Sequence, residues 1–331
     1  MILAAVAVVG VAIWPTRRLS AAIALTAGLL STLVAGWSVA EDALRATGPM
    51  LIFLTAAIGV AALAERRGLA ERAATVLVRA GQGRTKRLYA LTCLTSATLT
   101  CVVSLDGAVV LMVPLVRALG RRCQVSVTPF FLGSVAVANA ASLAVPEGNP
   151  TNLVVMSRLG VSPLAFLAHL LLPGLVATLL CALVPLRLLK PPRDVIESPG
   201  GPASVVPWRI GAQMAGLLAA LDGLAPALSL HTSRFAALLA VAGGTAAAAA
   251  TANNLPVSAS VAALATSGPG VYAALIGLTV GALATAHGSV ATLIARDLAA
   301  EHRPWARTWA PAAAVAVLLS TFLLWLTFSV G

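Results

Sequence analysis

A polar segment interrupts a long apolar run near the middle of the chain, and this interruption limits the fold more than any other feature. Residues 145–153 read VPEGNPTNL, with SVAVANAASLA before them and VV after them. Hydrocarbon offers no water to unpaired backbone groups, so a membrane tolerates such a break only inside protein or beside a cavity. The segment therefore predicts a discontinuous helix whose break faces a cavity.

The composition indicates a membrane protein. Of the 331 residues, 59% are hydrophobic and 10% are charged, and the mean hydropathy is +0.95. Soluble domains carry roughly a quarter charged residues. The net charge of +11 would suggest a nucleic-acid partner for a soluble protein. No nucleic acid is predicted here, because Arg and Lys collect in the cytoplasmic loops of membrane proteins.

Apolar runs that could cross a bilayer recur along the chain, and we predict about eight full spans, since a transmembrane helix needs ~17–25 residues. They fall near 2–14, 20–37, 48–64, 129–157, 162–189, 207–228, 270–298 and 308–330. Basic clusters flank several of them, at 17–18, 66–87, 121–122, 187–193 and 296–307, whereas the second loop holds Glu41 and Asp42. The positive-inside rule places the basic clusters in the cytoplasm and both termini outside.

Two longer runs, 88–120 and 233–266, contain polar residues. The first has basic residues at both ends, so it predicts a re-entrant hairpin from the cytoplasm with a tip at Ser104-Leu105-Asp106-Gly107. The second predicts a hairpin from the opposite face, with its tip at Asn253-Asn254-Leu255-Pro256. Residues 68–80 predict a short interfacial amphipathic helix. The Pro/Gly-rich segment 190–206 predicts a cytoplasmic linker.

The two halves of the chain repeat the same order of parts. Shifted by 140 residues, ASLAVPEGNPTNLVV (141–155) aligns with GALATAHGSVATLIA (281–295), and each segment follows a predicted hairpin and precedes a span. Opposite orientation of the two halves is the inverted-repeat plan of secondary transporters. The predicted fold is thus an all-α polytopic membrane protein with two re-entrant hairpins and two discontinuous helices. Its first repeat is 1–189, and a shortened second repeat is 207–331.

The two helix breaks are predicted to meet near the membrane midplane and to bind substrate. Amides at the start of a half-helix carry a partial positive charge and favour an anion or an electron-rich oxygen. Glycine lets the backbone approach a ligand closely, and Asn, Ser and Thr add hydrogen-bonding groups. The predicted substrate-binding residues are Gly148, Asn149, Thr151, Asn152, Asn253, Asn254, Gly288, Ser289 and Thr292.

Three ionisable residues are candidates for ion or proton coupling. Asp106, Glu147 and His287 are predicted at membrane depth, where such groups are rare and usually functional. Asp106 could instead cap its own helix, and His287 could be a proton carrier or a hydrogen-bonded packing group. The four His and four Cys show no metal-ligand spacing, and no phosphate-binding loop is present. No metal, cofactor or ATPase motor is therefore predicted in this chain.

Four stretches carry a resemblance to a known family: SLDGAVVLMVPLV (104–116), NAASLAVPEGNPTNLVV (139–155), ANNLPVSA (252–259) and GSVATLIARDL (288–298). In this order they resemble the ion transporter superfamily, and most of all its arsenite/antimonite efflux permeases. The resemblance covers about 48 to 298. It implies a scaffold and a transport domain in the inner membrane, with a homodimer and a separate ATPase subunit as partners to consider. Leu105, Glu147 and His287 depart from the family pattern.

The resemblance implies proton-coupled efflux of arsenite or antimonite, and the lack of Arg or Lys in either break favours a neutral substrate. The alternative is a sodium- or proton-coupled transporter of carboxylates or inorganic anions on the same fold. An intramembrane enzyme using Glu147 and His287 would need a nucleophile or metal that the sequence does not offer, so no enzyme is predicted. A non-transporting homologue is a further alternative, because the second half lacks two spans.

Overall fold

A computed structural model describes residues 18–189, 208–221, 233–264, 268–299 and 305–329. Within these ranges the chain is almost entirely helical and has no strand. The first half contains α1 (Arg18–Ala35), α2 (Trp37–Arg66), α3 (Leu69–Gly81), α4 (Thr85–Val103), α5 (Leu105–Cys123), α6 (Val127–Ala141), α7 (Pro150–Leu159) and α8 (Pro163–Leu183). The second half contains α9 (Trp208–Leu221), α10 (Phe235–Ala252), α11 (Asn254–Leu264), α12 (Gly270–Thr279), α13 (Val290–Ala299) and α14 (Ala306–Ser329). The predicted span 2–14 and the linker 190–206 lie outside the described residues.

Several of these helices suit a membrane. Four are long and apolar enough to cross one, namely Trp37–Arg66, Pro163–Arg187, Phe235–Ala252 and Thr308–Ser329. Shorter apolar helices cover Ala21–Ala35, Val127–Ala141 and Gly270–Ala284. This agrees with the predicted helical, multi-pass membrane protein. The count of about eight spans remains a prediction.

The loop predicted around Glu41 and Asp42 is wrong, because both residues lie within α2. Only Gly36, at φ 106°, separates α1 from α2. A helix of this length extends about 45 Å, well beyond a hydrocarbon core of roughly 30 Å. Its first turns can therefore remain helical outside the hydrocarbon, where Arg45 forms an exposed ion pair with Glu41 at 2.6 Å.

A single residue joins the two helices of each predicted hairpin. Ser104 (φ 93°, ψ 164°) links α4 to α5, and Asn253 (φ 79°, ψ 145°) links α10 to α11. Residues other than glycine rarely adopt this conformation, which costs about 1–3 kcal/mol. The four-residue tips predicted from the sequence are therefore too long: Asp106 and Asn254 already belong to the first turn of the second helix.

Both predicted helix breaks are present, and they share a packing detail. A 3₁₀ turn, Pro146–Gly148, lies between α6 and α7, and another, Gly281–Ala284, lies between α12 and α13. A Cβ on Gly148 would lie 2.8 Å from the carbonyl oxygen of Ser142, and a Cβ on Gly288 would collide with the carbonyl oxygen of Ala282. In each break, glycine therefore lets the chain pass over the backbone six residues earlier.

Helices α1, α2 and α9 pack together around a buried apolar cluster. Gly28 of α1 and Gly216 of α9 let their backbones approach closely, as small residues do between membrane helices. The buried cluster around Met214 continues onto Val110 of α5 and Leu293 of α13. A separate and larger core joins α4–α8 to α10–α14. The three-helix unit thus packs against one face of the remaining helices, through α5, α11 and α13.

Candidate substrate-binding site

Four helices begin at one cavity. It is lined by Leu105 and Asp106 of α5, by Asn149, Pro150 and Thr151 at the start of α7, by Asn254 and Leu255 of α11, and by Ser289, Val290 and Ala291 at the start of α13. The cavity contains about 240 Å³ of empty space, including the part open to solvent.

The helix termini give the cavity a positive electrostatic character. Each N-terminus acts as a partial charge of roughly +0.5, and four of them point at the same space. Asp106 opposes this field: it is 3% exposed and has no ion-pair partner among the described residues. No Arg or Lys is among the ten lining residues. The cavity thus combines a diffuse positive field with one buried carboxyl group.

The tip between α4 and α5 brings Gly107 close to α2. Ala108 donates its backbone N–H to the carbonyl oxygen of Ser104 at 2.9 Å, which starts α5. A Cβ on Gly107 would lie 2.7 Å from Val103 and 3.8 Å from Phe53 of α2. The hydroxyl oxygen of Ser104 is buried and has no hydrogen-bond partner in the described part of the chain. The tip is therefore tightly packed and leaves a polar group unsatisfied.

Two asparagines organise the first break. Asn149 caps α7, since its side-chain oxygen accepts the backbone N–H of Thr151 at 3.0 Å. Asn152 donates its side-chain amide to the carbonyl oxygens of Ser142 at 2.8 Å and of Val145 at 3.2 Å. Asn149 therefore lines the cavity and caps the helix, whereas Asn152 lies behind it and holds the non-helical backbone in place.

The second break is bound directly to the second tip. Asn253 accepts the backbone N–H of Leu255 at 3.2 Å through its side-chain oxygen, and it donates its side-chain amide to the carbonyl oxygen of His287 at 2.6 Å. The next residue, Asn254, donates its backbone N–H to the carbonyl oxygen of Gly288 at 2.7 Å. The start of α11 and the segment before α13 therefore form one hydrogen-bonded unit.

A buried contact also links the two broken helices. Asn139, near the end of α6, donates its side-chain amide to the hydroxyl oxygen of Thr292 in α13 at 3.4 Å and to the carbonyl oxygen of Val135 at 2.8 Å. The side-chain oxygen of Asn139 is buried and has no partner among the described residues. Sequence reasoning did not select Asn139 as a site residue. Its only signal was an amide side chain within an apolar helix.

The structure brings some predicted site residues to the cavity and places others around it. Asp106, Asn149, Thr151, Asn254 and Ser289 line the cavity. The remaining buried residues, which support the two breaks and the second tip, are Gly148, Asn152, Asn253, His287, Gly288 and Thr292. The ring Nε2 of His287 has no hydrogen-bond partner within the described ranges. Glu147, predicted at membrane depth, is exposed and is not among the lining residues.

Comparison with known proteins adds two similarities. The family described as "Citrate transporter" matches residues 1–329. A stretch of 85 residues is 33% identical to "Inner membrane protein YbiR" of Escherichia coli (strain K12), covering 26% of this chain and 23% of that protein. The match thus spans about a quarter of that relative, whereas the family match extends over nearly the whole chain.

Proposed function

This chain belongs to the citrate transporter family, and on that premise we propose that it is a secondary active transporter of citrate or a related small carboxylate across the inner membrane. Membership of this family indicates a membrane permease, and we propose no enzymatic activity. The observation that carries the choice of a carboxylate is the convergence of four helix N-termini on one cavity. The dipoles of helix N-termini favour anionic oxygens.

The side chains at the cavity suit carboxylate oxygens. Thr151, Asn254 and Ser289 carry groups that donate hydrogen bonds, and the hydroxyl oxygen of Ser289 is buried without a partner among the described residues. Such unsatisfied donors lose free energy unless a ligand or water engages them. A small carboxylate would supply hydrogen-bond acceptors for donors, such as the Ser289 hydroxyl, that have no partner among the described residues.

The same cavity requires a coupling cation. Citrate carries several negative charges, and Asp106 would repel it in the absence of any lining Arg or Lys. A proton on Asp106, or a cation bound beside it, would remove this repulsion. Coupling of a proton or sodium ion to substrate binding is thus an electrostatic consequence of the site that we propose.

We further propose that the chain consists of inverted repeats, 1–189 and 207–331. Three helix contacts have an equivalent when the two halves are exchanged, which supports this assignment. The packing of α4 on α6 corresponds to that of α10 on α12, and the packing of α6 on α8 corresponds to that of α12 on α14. The packing of α5 on α13 corresponds to that of α11 on α7. Both tips share one unusual backbone conformation. In both breaks a glycine, Gly148 or Gly288, lies against the backbone of the residue six positions earlier, and these two glycines are 140 residues apart.

The position of the cavity suggests how it reaches the two sides of the membrane. It lies beside Val290, which belongs to the core shared with α1, α2 and α9. This shared face is mainly apolar, and movement of the three-helix unit along it would expose the cavity first to one side and then to the other. The homodimer and the separate ATPase subunit implied by the family resemblance remain predictions.

Arsenite or antimonite is the second candidate substrate, favoured by the absence of Arg and Lys from the lining. Neutral hydroxides of these elements would use the same hydrogen-bonding groups without needing a compensating charge. The two candidates differ in their response to Asp106, because only an anion is repelled by its carboxylate.

Uptake into everted vesicles separates the candidates. Labelled citrate, succinate and arsenite are supplied in parallel, while proton and sodium gradients are imposed separately. We expect accumulation of citrate or succinate driven by one of the two gradients and no gradient-driven accumulation of arsenite. Arsenite accumulation without carboxylate transport would overturn the carboxylate proposal. Transport of neither substrate class, with the protein verified in the membrane, would favour a non-transporting homologue.

A further inference from the structure

Helix α3 carries a basic surface that plays no part in the site described above. Seven exposed basic residues lie on this helix or at its two ends: Arg66, Arg67, Arg72, Arg79, Arg84, Lys86 and Arg87. The nearest acidic residues in sequence are Glu65, directly before Arg66, and Glu71 within α3. The carboxylate of Glu71 is already paired, with Arg121 at 2.7 Å and Arg122 at 3.6 Å. The basic residues of α3 and its ends therefore keep their charge uncompensated by Glu71.

The outward side of α3 combines charge with apolar side chains. Leu69, Arg72, Ala73, Val76 and Arg79 are all exposed, and at 3.6 residues per turn they occupy an arc of about 120°. Leu69 is 49% and Val76 is 65% exposed. On this arc Arg72 and Arg79 lie to one side of the apolar residues Leu69, Ala73 and Val76. A helix of this kind places its apolar residues at the boundary of the acyl chains and its basic residues among the headgroups.

The inward side of α3 is fixed to the protein. Ala74 and Gly81 are buried, the helix packs on α4 and α5, and the Glu71 ion pairs hold it to the end of α5. The helix therefore cannot rotate to hide its exposed residues. Helix α2 is long and apolar enough to cross a membrane, and α3 begins at Leu69, just after α2 ends at Arg66, which keeps the basic surface close to the bilayer.

We propose that the basic face of α3, formed by Leu69, Arg72, Val76 and Arg79 with the basic residues at its ends, binds the headgroups of anionic phospholipids. The chemistry required is a phosphate-bearing headgroup for the arginines, joined to an acyl chain for Leu69 and Val76. Each basic residue near an anionic membrane surface contributes on the order of 1 kcal/mol. A zwitterionic lipid offers the same acyl chains without the net charge.

Lipid counting by native mass spectrometry tests this proposal. The full-length protein in neutral detergent is titrated with phosphatidylglycerol or with phosphatidylcholine. We expect wild type to bind phosphatidylglycerol more tightly, and Arg72→Gln/Arg79→Gln to lower that affinity roughly thirtyfold without changing the binding of phosphatidylcholine. As a matched control, Arg45→Gln/Arg158→Gln removes two exposed charges away from α3 and should leave both affinities unchanged. Equal binding of the two lipids to wild type, or wild-type affinity in the Arg72/Arg79 variant, would overturn the proposal.

Two further arms identify the source of the phosphate and guard against misfolding. Leu69→Ser/Val76→Ser should also weaken the binding of phosphatidylglycerol, and inorganic phosphate should not displace the lipid. Displacement by inorganic phosphate would show a phosphate site and not a lipid site. Arg72→Lys/Arg79→Lys preserves the charge and should bind like wild type. Loss of binding in this variant would contradict an electrostatic headgroup interaction.

Discussion

The side-chain amide of Asn253 donates a hydrogen bond to the backbone carbonyl of His287 at 2.6 Å. One residue thereby caps α11, at 3.2 Å from the N–H of Leu255, and ties the start of that helix to the break before α13. In a membrane, few other groups could satisfy the freed carbonyl. The shape of the cavity in the second half therefore depends on this side chain.

Replacing Asn253 should destabilise the protein and weaken substrate binding. Asn253→Ala removes the cap, which is worth about 0.5–2 kcal/mol, and leaves a buried carbonyl unpaired at a cost of about 1–3 kcal/mol. Thermal unfolding and citrate titration of the purified protein measure both effects. Thr251→Ala is the control, because its exposed hydroxyl bonds only within α10. If Asn253→Ala matched wild type in both assays, the side-chain links would not hold the tip.

The glycines of the two breaks should not tolerate even a methyl group. Gly148→Ala and Gly288→Ala force a Cβ against the carbonyls of Ser142 and Ala282, and overpacking of this kind costs about 1–3 kcal/mol. Gly59→Ala and Gly243→Ala lie in open helical positions and should be neutral or stabilising by up to about 1 kcal/mol. Thermal unfolding of the four variants tests the expected order. Equal stability of Gly148→Ala and Gly59→Ala would show that the first break is not close-packed.

Asp106 should be required for coupling and not for folding. Asp106→Asn keeps the size of the side chain and its capping ability while removing the titratable group, so it should abolish uphill transport driven by the coupling ion. Expression and thermal stability should remain close to wild type. Glu147→Gln is the matched carboxylate control, and it should be mild because Glu147 is exposed outside the cavity. Uphill transport by Asp106→Asn at the wild-type level would show that Asp106 is not the coupling residue.

The ends of the first hairpin should lie on one side of the membrane. In a background without Cys101 and Cys123, the two cysteines that are not buried, single thiols are introduced by Lys86→Cys, Gln124→Cys and Ser157→Cys. A membrane-impermeant thiol reagent should reach positions 86 and 124 from the cytoplasm and position 157 from outside. Labelling of 86 and 124 from opposite sides would show that α4 and α5 do not form a re-entrant hairpin.

Polar residues in apolar runs were the most informative local signal. Asn149, Asn254 and Ser289 stand out in the sequence for this reason, and the structure places all three at the cavity. Non-local relationships could not be predicted in this way. The contact of Asn139 with Thr292 joins residues 153 positions apart, and it depends on how the two halves pack.

Local geometry explains the other differences between expectation and structure. Glu147 lies in a 3₁₀ turn that leaves its side chain exposed, and the sequence does not indicate which way such a turn faces. Glu41 and Asp42 lie on a helix, not in a loop, because polar residues can continue a helix once it leaves the hydrocarbon. The composition of the sequence shows where an apolar run ends, but it does not show where the helix ends.

Counterflow in proteoliposomes tests most directly whether the cavity transports a carboxylate. Purified protein is reconstituted in vesicles loaded with unlabelled citrate, and a trace of labelled citrate is added outside. Exchange requires no imposed ion gradient, so it depends on binding and translocation alone. We predict transient accumulation of labelled citrate inside, competed by other small carboxylates but not by arsenite, and lost in Gly288→Ala. The account would be contradicted if wild type showed no exchange of citrate or any competing carboxylate while it exchanged arsenite.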